Sequence, residues 1–394
     1  MTRLRISHFT LVSCLGTGQA ATAAALKQGR SGLRPCDFET VEIPTFIGPV
    51  TGLDDAKIDG VLAAYDCRNN RLARLALEQD GFLTAVKAAA GRYGKDRIGV
   101  FAGTSTAGIL ETEIAFRRRD PESGALPPGF HYRETHNTFS VGDFTQRLLG
   151  LEGPAMVVSA ACASTAKAFG NAARMIGLGL CDAAIVGGAD SLCLTTLYGF
   201  HSLQLTSTAP CRPFDASRDG ISIGEAAGFA LIEKAGDQEG IDFLGIGESS
   251  DAHHMSAPHP EGLGARMAME KALAMAAIAP SDIGYVNLHG TATQAGDLAE
   301  DKAIHALFST GTPCTSTKGM TGHALGASGI LEALIAILCL QEGFIPPSPT
   351  TRHLDPALQS HYLVEGGSRQ FDRVMSNSFG FGGSNCSLIF GRSS

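Results

Sequence analysis

Short, β-branched apolar runs alternate with longer Ala/Leu-rich stretches along the whole chain. Continuous apolar runs bounded by glycine read as strands buried on both faces. The Ala/Leu stretches read as the helices that cover them. That pattern belongs to an α/β protein with mainly parallel sheets. Ile6–Leu15 predicts a first strand, Arg97–Thr104 a strand running into a glycine turn, and Leu180–Ala189 another strand. Met156-Val-Val158 leads through small residues into a helical stretch from Ala161 to Leu180. Ile241–Gly247 opens a second half. Beyond it, Met267–Ala277 predicts a helix, Ile283–His289 a strand and Ile330–Leu340 a buried helix. Val374–Phe379 and Cys386–Phe390 predict closing strands.

One echo connects the halves. Ile98-Gly-Val-Phe-Ala-Gly-Thr104 and Ile283-Gly-Tyr-Val-Asn-Leu-His-Gly-Thr291 are both strands ending in Gly-Thr. A duplicated α/β unit produces such a match, and so does chance over so short a span. The polar segment Glu233–Gly240 is the candidate joint, dividing the chain into residues 1–237 and 238–394.

Composition narrows the class of partner. With 394 residues, 44% hydrophobic and 18% charged, the chain fills one large or two fused domains. A net charge of −8 argues against a phosphate backbone as ligand, and the absence of Trp argues against base stacking. Basic residues cluster only locally, at Arg68, Arg71 and Arg74 and at Arg117–Arg119, as a solvated face or as a docking patch. The ten Cys show no CxxC pair, and neither a signal peptide nor an apolar stretch of membrane-spanning length is evident. Free thiols in a cytoplasmic protein, away from membranes, are the expectation.

Four strings carry candidate chemistry. In Val158-Ser-Ala-Ala-Cys-Ala-Ser-Thr-Ala-Lys167 a strand meets a helix at Cys162. Unpaired N–H groups and the helix dipole at such an elbow favour a thiolate, which predicts a lowered thiol pKa and a nucleophile; the alternative is a buried, inert thiol. Asn287-Leu-His-Gly-Thr-Ala-Thr293 delivers His289 at a strand's C-terminal end, where α/β proteins build sites. Ser316–Gly329 holds Lys318 and His323 in a glycine-rich turn before an apolar helix. Asn377-Ser-Phe-Gly-Phe-Gly-Gly-Ser-Asn385 offers backbone amides for a phosphate or an oxyanion, and no Walker lysine follows it. Two further readings compete. Gly220-Ile-Ser-Ile-Gly224 matches G-x-S-x-G but follows a polar, Pro-bearing loop instead of a strand. Ser250–His259 is histidine-rich, as a metal site or as a polar loop lining a cleft, and lacks a zinc-type ligand frame.

Together with Arg212-Pro-Phe-Asp and Arg218-Asp-Gly220, and in this order and spacing, these strings resemble the β-ketoacyl-acyl-carrier-protein synthases, the elongating condensing enzymes of the thiolase superfamily. The resemblance spans essentially the whole chain. It implies a five-layered αβαβα fold from two similar halves and a Cys-His-His acyltransferase that needs no cofactor or metal of its own. Cys162 would take an acyl group from a carrier protein. His289 and His323 would stabilise the enolate of a decarboxylating malonyl thioester. Lys318 would keep His323 neutral, with Glu332 as its partner. The N–H groups of Cys162 and Phe381 would form the oxyanion hole, and Phe381 would gate the acyl pocket. Thr291 and Thr293 would hold the pantetheine arm, and Arg68 and Arg71 would dock the acidic carrier protein.

The resemblance also implies a homodimer, or a heterodimer with an inactive chain-length-factor homologue. A catalytically silent subunit of such a pair, or a coenzyme-A-using thiolase with Cys386 as second thiol, are the competing assignments. The turn Gly103-Thr-Ser-Thr-Ala-Gly108 departs from the family's more glycine- and isoleucine-bearing turn at the acyl pocket. Tyr65-Asp-Cys-Arg-Asn-Asn-Arg-Leu-Ala73 looks like synthases of dedicated clusters such as aryl polyene pathways, with housekeeping fatty acid elongation as the alternative.

Overall fold

The structure is a computed structural model that describes residues 3–236 and 239–393. Its main sheet is built from β1 (Leu4–Ser13), β2 (Ile98–Gly103), β3 (Ala155–Val158), β4 (Ala183–Asp190) and β5 (Ala226–Lys234), followed by β6 (Ile241–Ser250), β7 (Tyr285–Asn287), β8 (Cys314–Thr315), β9 (Arg373–Gly380) and β10 (Ser384–Arg392). Their order across the sheet is β8-β7-β9-β10-β6-β1-β5-β4-β2-β3, and the short strand Gly16–Thr17 pairs with β1.

Numbered within its own half, each set of five strands has the order 3-2-4-5-1. In each, the first three strands across pair in parallel and the last two pairings are antiparallel, so the sheet is mixed and not mainly parallel as the sequence suggested. The echo noted in the sequence falls on β2 and β7, the second strand of each half, so the halves are a structural duplication. They meet where β1 pairs with β6, from Leu4↔Phe243 to Ile6↔Ile241. β5 ends at Lys234 and β6 begins at Ile241, so the connection lies within the polar segment expected to be the joint. The 237/238 boundary itself lies outside the described residues.

The main helices of the other layers are α1 (Arg68–Leu77), α2 (Phe82–Tyr93), α3 (Ser140–Leu149), α4 (Ser164–Gly177), α5 (Leu263–Ala276), α6 (Gln294–Phe308) and α7 (Ser328–Glu342). Alternation along the strands sorts the side chains between them. Ile98, Ala183, Ile185 and Phe229 join a core with α1, α2 and α3. Phe101, Ala184, Val186 and Ile232 join one with α4 and α7. In the second half, Val286, Met375 and Ile389 face α5 and α6, while Tyr285, Val374 and Leu388 face α4 and α7. The layers therefore run helix, sheet, α4 with α7, sheet, helix. This central position explains why α7 is apolar on every side: Ser328 to Leu340 are all buried. Among the described residues it belongs to the one helix, Leu325–Glu342, long and apolar enough to cross a membrane by length and composition.

Candidate active site

The chain turns from β3 into α4 through Ala161, which sits in the left-handed region at φ 46°. Such a conformation strains a residue with a Cβ and is held only by its surroundings. It also explains why α4 begins at Ser164 and not at Ala161. Cys162 lies just before the helix and is 6% exposed. Gly380, ending β9, comes up to this elbow so closely that a Cβ there would stand 3.2 Å from Ala160 O and Cys162 N.

The second half supplies the two histidines. His323 Nε2 is 3.1 Å from Cys162 Sγ. Its Nδ1 accepts the Leu325 N–H at 3.2 Å and the Ser328 hydroxyl at 2.9 Å. A backbone N–H can only donate, so the Nδ1 lone pair is occupied and the ring proton sits on Nε2, facing the sulfur. His289 is fixed similarly. Lys318 Nζ donates to His289 Nδ1 at 3.3 Å, leaving the proton on Nε2, and also to the His289 carbonyl and Glu332. The His289 and Gly290 N–H groups donate to Glu300 at 2.9 and 2.7 Å. The two imidazoles meet edge to face, centroids 5.2 Å apart.

Burial first, and then the Lys318 charge, hold both imidazoles well below the ordinary histidine range, so both are neutral donors. The Lys318 charge favours neutral His323 through its field, the role expected of it, and Lys318 also bonds directly to His289. Its ion pair with Glu332 is fully buried, as the resemblance implied.

The thiol corrects an expectation. Loss of hydration pushes Cys162 up to about 12, outweighing the Lys318 charge and the Phe381 N–H that favour the thiolate. The helix terminus does not produce a resting anion. The group is a buried thiol, with the Phe381 N–H and the His323 Nε2–H placed to stabilise negative charge on its sulfur.

Sγ and a ring nitrogen from each histidine lie within 4.8 Å of one another. They open on a cavity of about 500 Å³, also lined by Thr291, Thr293, Phe381 and Phe200. Thr291 and Thr293 hydroxyls are 2.9 Å apart, and Thr293 caps α6 by accepting the Gly296 N–H. Phe381 stands on a turn that Gly382, at φ 79°, makes possible, and its ring rests on Phe200 at 5.4 Å.

Other expectations are redirected. Arg68 is not a docking residue: it is 6% exposed, and its guanidinium is bound by the buried Glu225 and by Asp54. Arg71 spends two nitrogens on Asp66, so neither arginine offers a free cation to a carrier. Ser222 is buried and accepts the Cys211 N–H, away from any strand-to-helix elbow. In the histidine-rich segment, Asp251, Ser256 and Pro258 line the cavity mouth, so the segment is a cleft-lining loop. Cys386 is buried within β10, outside the cavity lining, which leaves the thiolase assignment without its second thiol. The sequence reading missed Glu300, which fixes the backbone on either side of the His289–Gly290 bond. Asp297, Glu300 and Asp301 lie on one face of α6 and are all buried, and that spacing directly after the histidine string was the available signal.

A cysteine elbow and two neutral imidazoles meeting between duplicated halves define a condensing enzyme of the thiolase-like fold. Comparisons with known proteins agree. Residues 10–238 match the family described as Beta-ketoacyl synthase, N-terminal domain, and residues 242–352 match Beta-ketoacyl synthase, C-terminal domain. The chain belongs to the β-ketoacyl synthase family. It is 33% identical to 3-oxoacyl-acyl-carrier-protein synthase 2 of Vibrio cholerae over 99% of both chains. It superposes on a chain of the complex of the ketosynthase ApeO with its chain length factor ApeC from Xenorhabdus doucetiae, with a TM-score of 0.89 and 38% identity, covering 100% of this chain and 98% of that one. The ishigamide ketosynthase/chain length factor gives a TM-score of 0.88 at 27% identity over the full length of both chains.

Proposed function

We propose that this chain is a 3-oxoacyl-acyl-carrier-protein synthase, condensing a Cys162-bound acyl group with a malonyl-type thioester on a carrier protein. The observation that carries the reading is the 3.1 Å contact of the His323 Nε2–H with Cys162 Sγ, beside a second neutral donor, His289. In the first step Cys162 sulfur attacks the acyl carbonyl and the C–S bond to the carrier breaks. The thiol proton leaves with the carrier's sulfur, and the carbonyl oxygen is held by the Cys162 and Phe381 N–H groups. In the second step the malonyl C–C bond breaks and CO2 departs. The electron pair moves onto the thioester oxygen, where His289 and His323 donate hydrogen bonds, each worth about 2.7–4 kcal/mol by analogy with oxyanion-hole deletions. The enolate carbon then attacks the acyl-cysteine, and the Cys162 thiolate leaves. The pantetheine arm runs past Thr291 and Thr293, so no separate cofactor enters the scheme.

A dedicated pathway of aryl polyene type is the reading we favour over housekeeping elongation. The Tyr65–Ala73 string supports it, as does the whole-chain likeness to a chain of a ketosynthase/chain length factor complex. The partner is then a related subunit, homologous or identical, seated along β3. This is the free edge of the sheet next to the nucleophile elbow, and its Met156 is 43% exposed. Ten unpaired cysteines support a reducing, cytoplasmic setting.

Intact-protein mass spectrometry with a panel of acyl carrier proteins tests the assignment. An acyl adduct lost in Cys162→Ala, together with 3-ketoacyl product, supports it. An unmodified wild-type chain that turns over only when a homologue is added identifies the silent subunit instead.

A further inference from the structure

Asp190 ends β4 at the junction of the halves and is completely buried. All its hydrogen-bond donors are neutral. Oδ1 accepts from Thr104 Oγ1 at 2.6 Å and from Ser105 N, Thr106 N and Thr106 Oγ1, each at 2.9 Å. Oδ2 accepts from Ser105 N at 3.0 Å, from Ser105 Oγ, and from Gly326 N at 2.5 Å. The first donors come from the turn after β2, and the last comes from the turn between His323 and α7. This assigns a role to the hydroxyl-rich turn that departs from the family pattern: its side chains feed this carboxylate.

The Gly326 peptide is also held from its other side. Thr165 Oγ1, on the nucleophile's own helix α4, donates to Gly326 O at 2.6 Å. A Cβ on Gly326 would stand 2.6 Å from Asp190 Oδ2, so only glycine lets the peptide lie this close. The neighbouring Leu325 is in the left-handed region at φ 51°, a conformation that needs such clamping. Its N–H is the one obligatory donor on His323 Nδ1, because the Ser328 hydroxyl that shares this nitrogen can turn to donate or accept.

We propose that Asp190 is a positioning residue that sets the tautomer of His323: by gripping the Gly326 N–H it keeps the Leu325 N–H on Nδ1 and therefore keeps the ring proton on Nε2, aimed at Cys162. The inference deepens the reading of His323 as a donor and rests on it. Asp190 touches no reacting atom. Its effect passes through one backbone turn into one imidazole.

The test is Asp190→Asn in the full-length protein, whose amide must point an N–H at one of the donors now bonded to the carboxylate. Malonyl-carrier decarboxylation is followed with steady-state kinetics, and the His323 tautomer is read by ¹⁵N NMR of histidine-labelled protein, assigned with His323→Gln. The expected result is a fall of 30-fold or more in decarboxylation kcat, KM within threefold, and a His323 signal shifted from pure Nε2–H toward the other tautomer. Decarboxylation within threefold of wild type, with the Nε2–H tautomer kept, overturns the proposal. Should the asparagine variant fail to fold, Thr165→Val loosens the same peptide from its other side. A tenfold loss with the same tautomer shift then supports the clamp, and a loss within twofold without the shift overturns it. A wild-type protein that does not decarboxylate at all defeats the donor reading of the site. The tautomer spectra still decide the role of Asp190, because they need no turnover.

Discussion

In the first half, the loop after the third strand, β3, enters the buried helix α4 and carries Cys162; in the second, the loop after the third strand, β8, leads to the buried helix α7 and carries His323. After the second strand the halves differ more. The residues following β2 are Thr104–Thr106, whose donors are taken up by Asp190. Those following β7 bring His289 to the cavity, its backbone held by Glu300 and its ring by Lys318. One frame thus yields two outcomes. The same loops serve as scaffold where their polar groups are satisfied internally, and as machinery where a backbone grip leaves a ring nitrogen free. Under the proposed mechanism the first half would load the acyl group and the second would handle the malonyl unit.

That division can be broken most severely at Cys162. Cys162→Ala should abolish acyl loading, a loss of at least about 10⁴-fold in condensation by analogy with nucleophile deletions, while malonyl decarboxylation continues. His289→Ala should do the reverse, with decarboxylation down about 10²–10³-fold and the acyl adduct still visible by mass. If each variant loses both partial reactions equally, the halves do not divide the labour. Lys318→Met leaves Glu332 buried without its partner, so that it must take up a proton or carry an uncompensated charge; the expected cost is about 3–5 kcal/mol in denaturant unfolding, partly recovered by adding Glu332→Gln. Arg68→Met should cost a similar ~3–5 kcal/mol by stranding Glu225. Unchanged stability with a raised KM for carrier substrate would restore the docking role. Alkylation of Cys162 by iodoacetamide should climb about tenfold per pH unit from 7 to 9 without levelling, because burial raises the thiol's pKa and the reactive anion keeps growing with pH. A plateau in that range would mean a resting thiolate. The smallest effect belongs to Arg71→Glu, which exchanges a two-pronged, largely buried ion pair with Asp66 for repulsion and should cost about 1–3 kcal/mol, with KM for carrier substrate within twofold.

Much of this was legible before any coordinates. The alternation of strands and helices, the Gly-Thr echo on β2 and β7, and the strings around Cys162, His289 and His323 are local in sequence, and local patterns survive folding. What stayed hidden depends on partners far along the chain. Arg68 reads as a helical surface residue until Glu225, 157 residues away, closes on it. The thiol reads as activated until its burial is seen. Asp190 closes an ordinary apolar strand, and nothing in its neighbours announces that Gly326 will meet it. Helix ends moved for similar reasons. α4 starts late because Ala161 is spent on the elbow, and α5 starts early, at Leu263, behind Gly262 at φ 61°.

α7 has a consequence for how the chain is made. Its residues touch β1 and β5 on one side and β7, β9 and β10 on the other. The amino-terminal half cannot finish its own interior until more than three hundred residues have left the ribosome, and α7 in turn waits for β9 and β10. A truncated product ending near residue 236 should therefore present a sticky apolar trough instead of a folded unit.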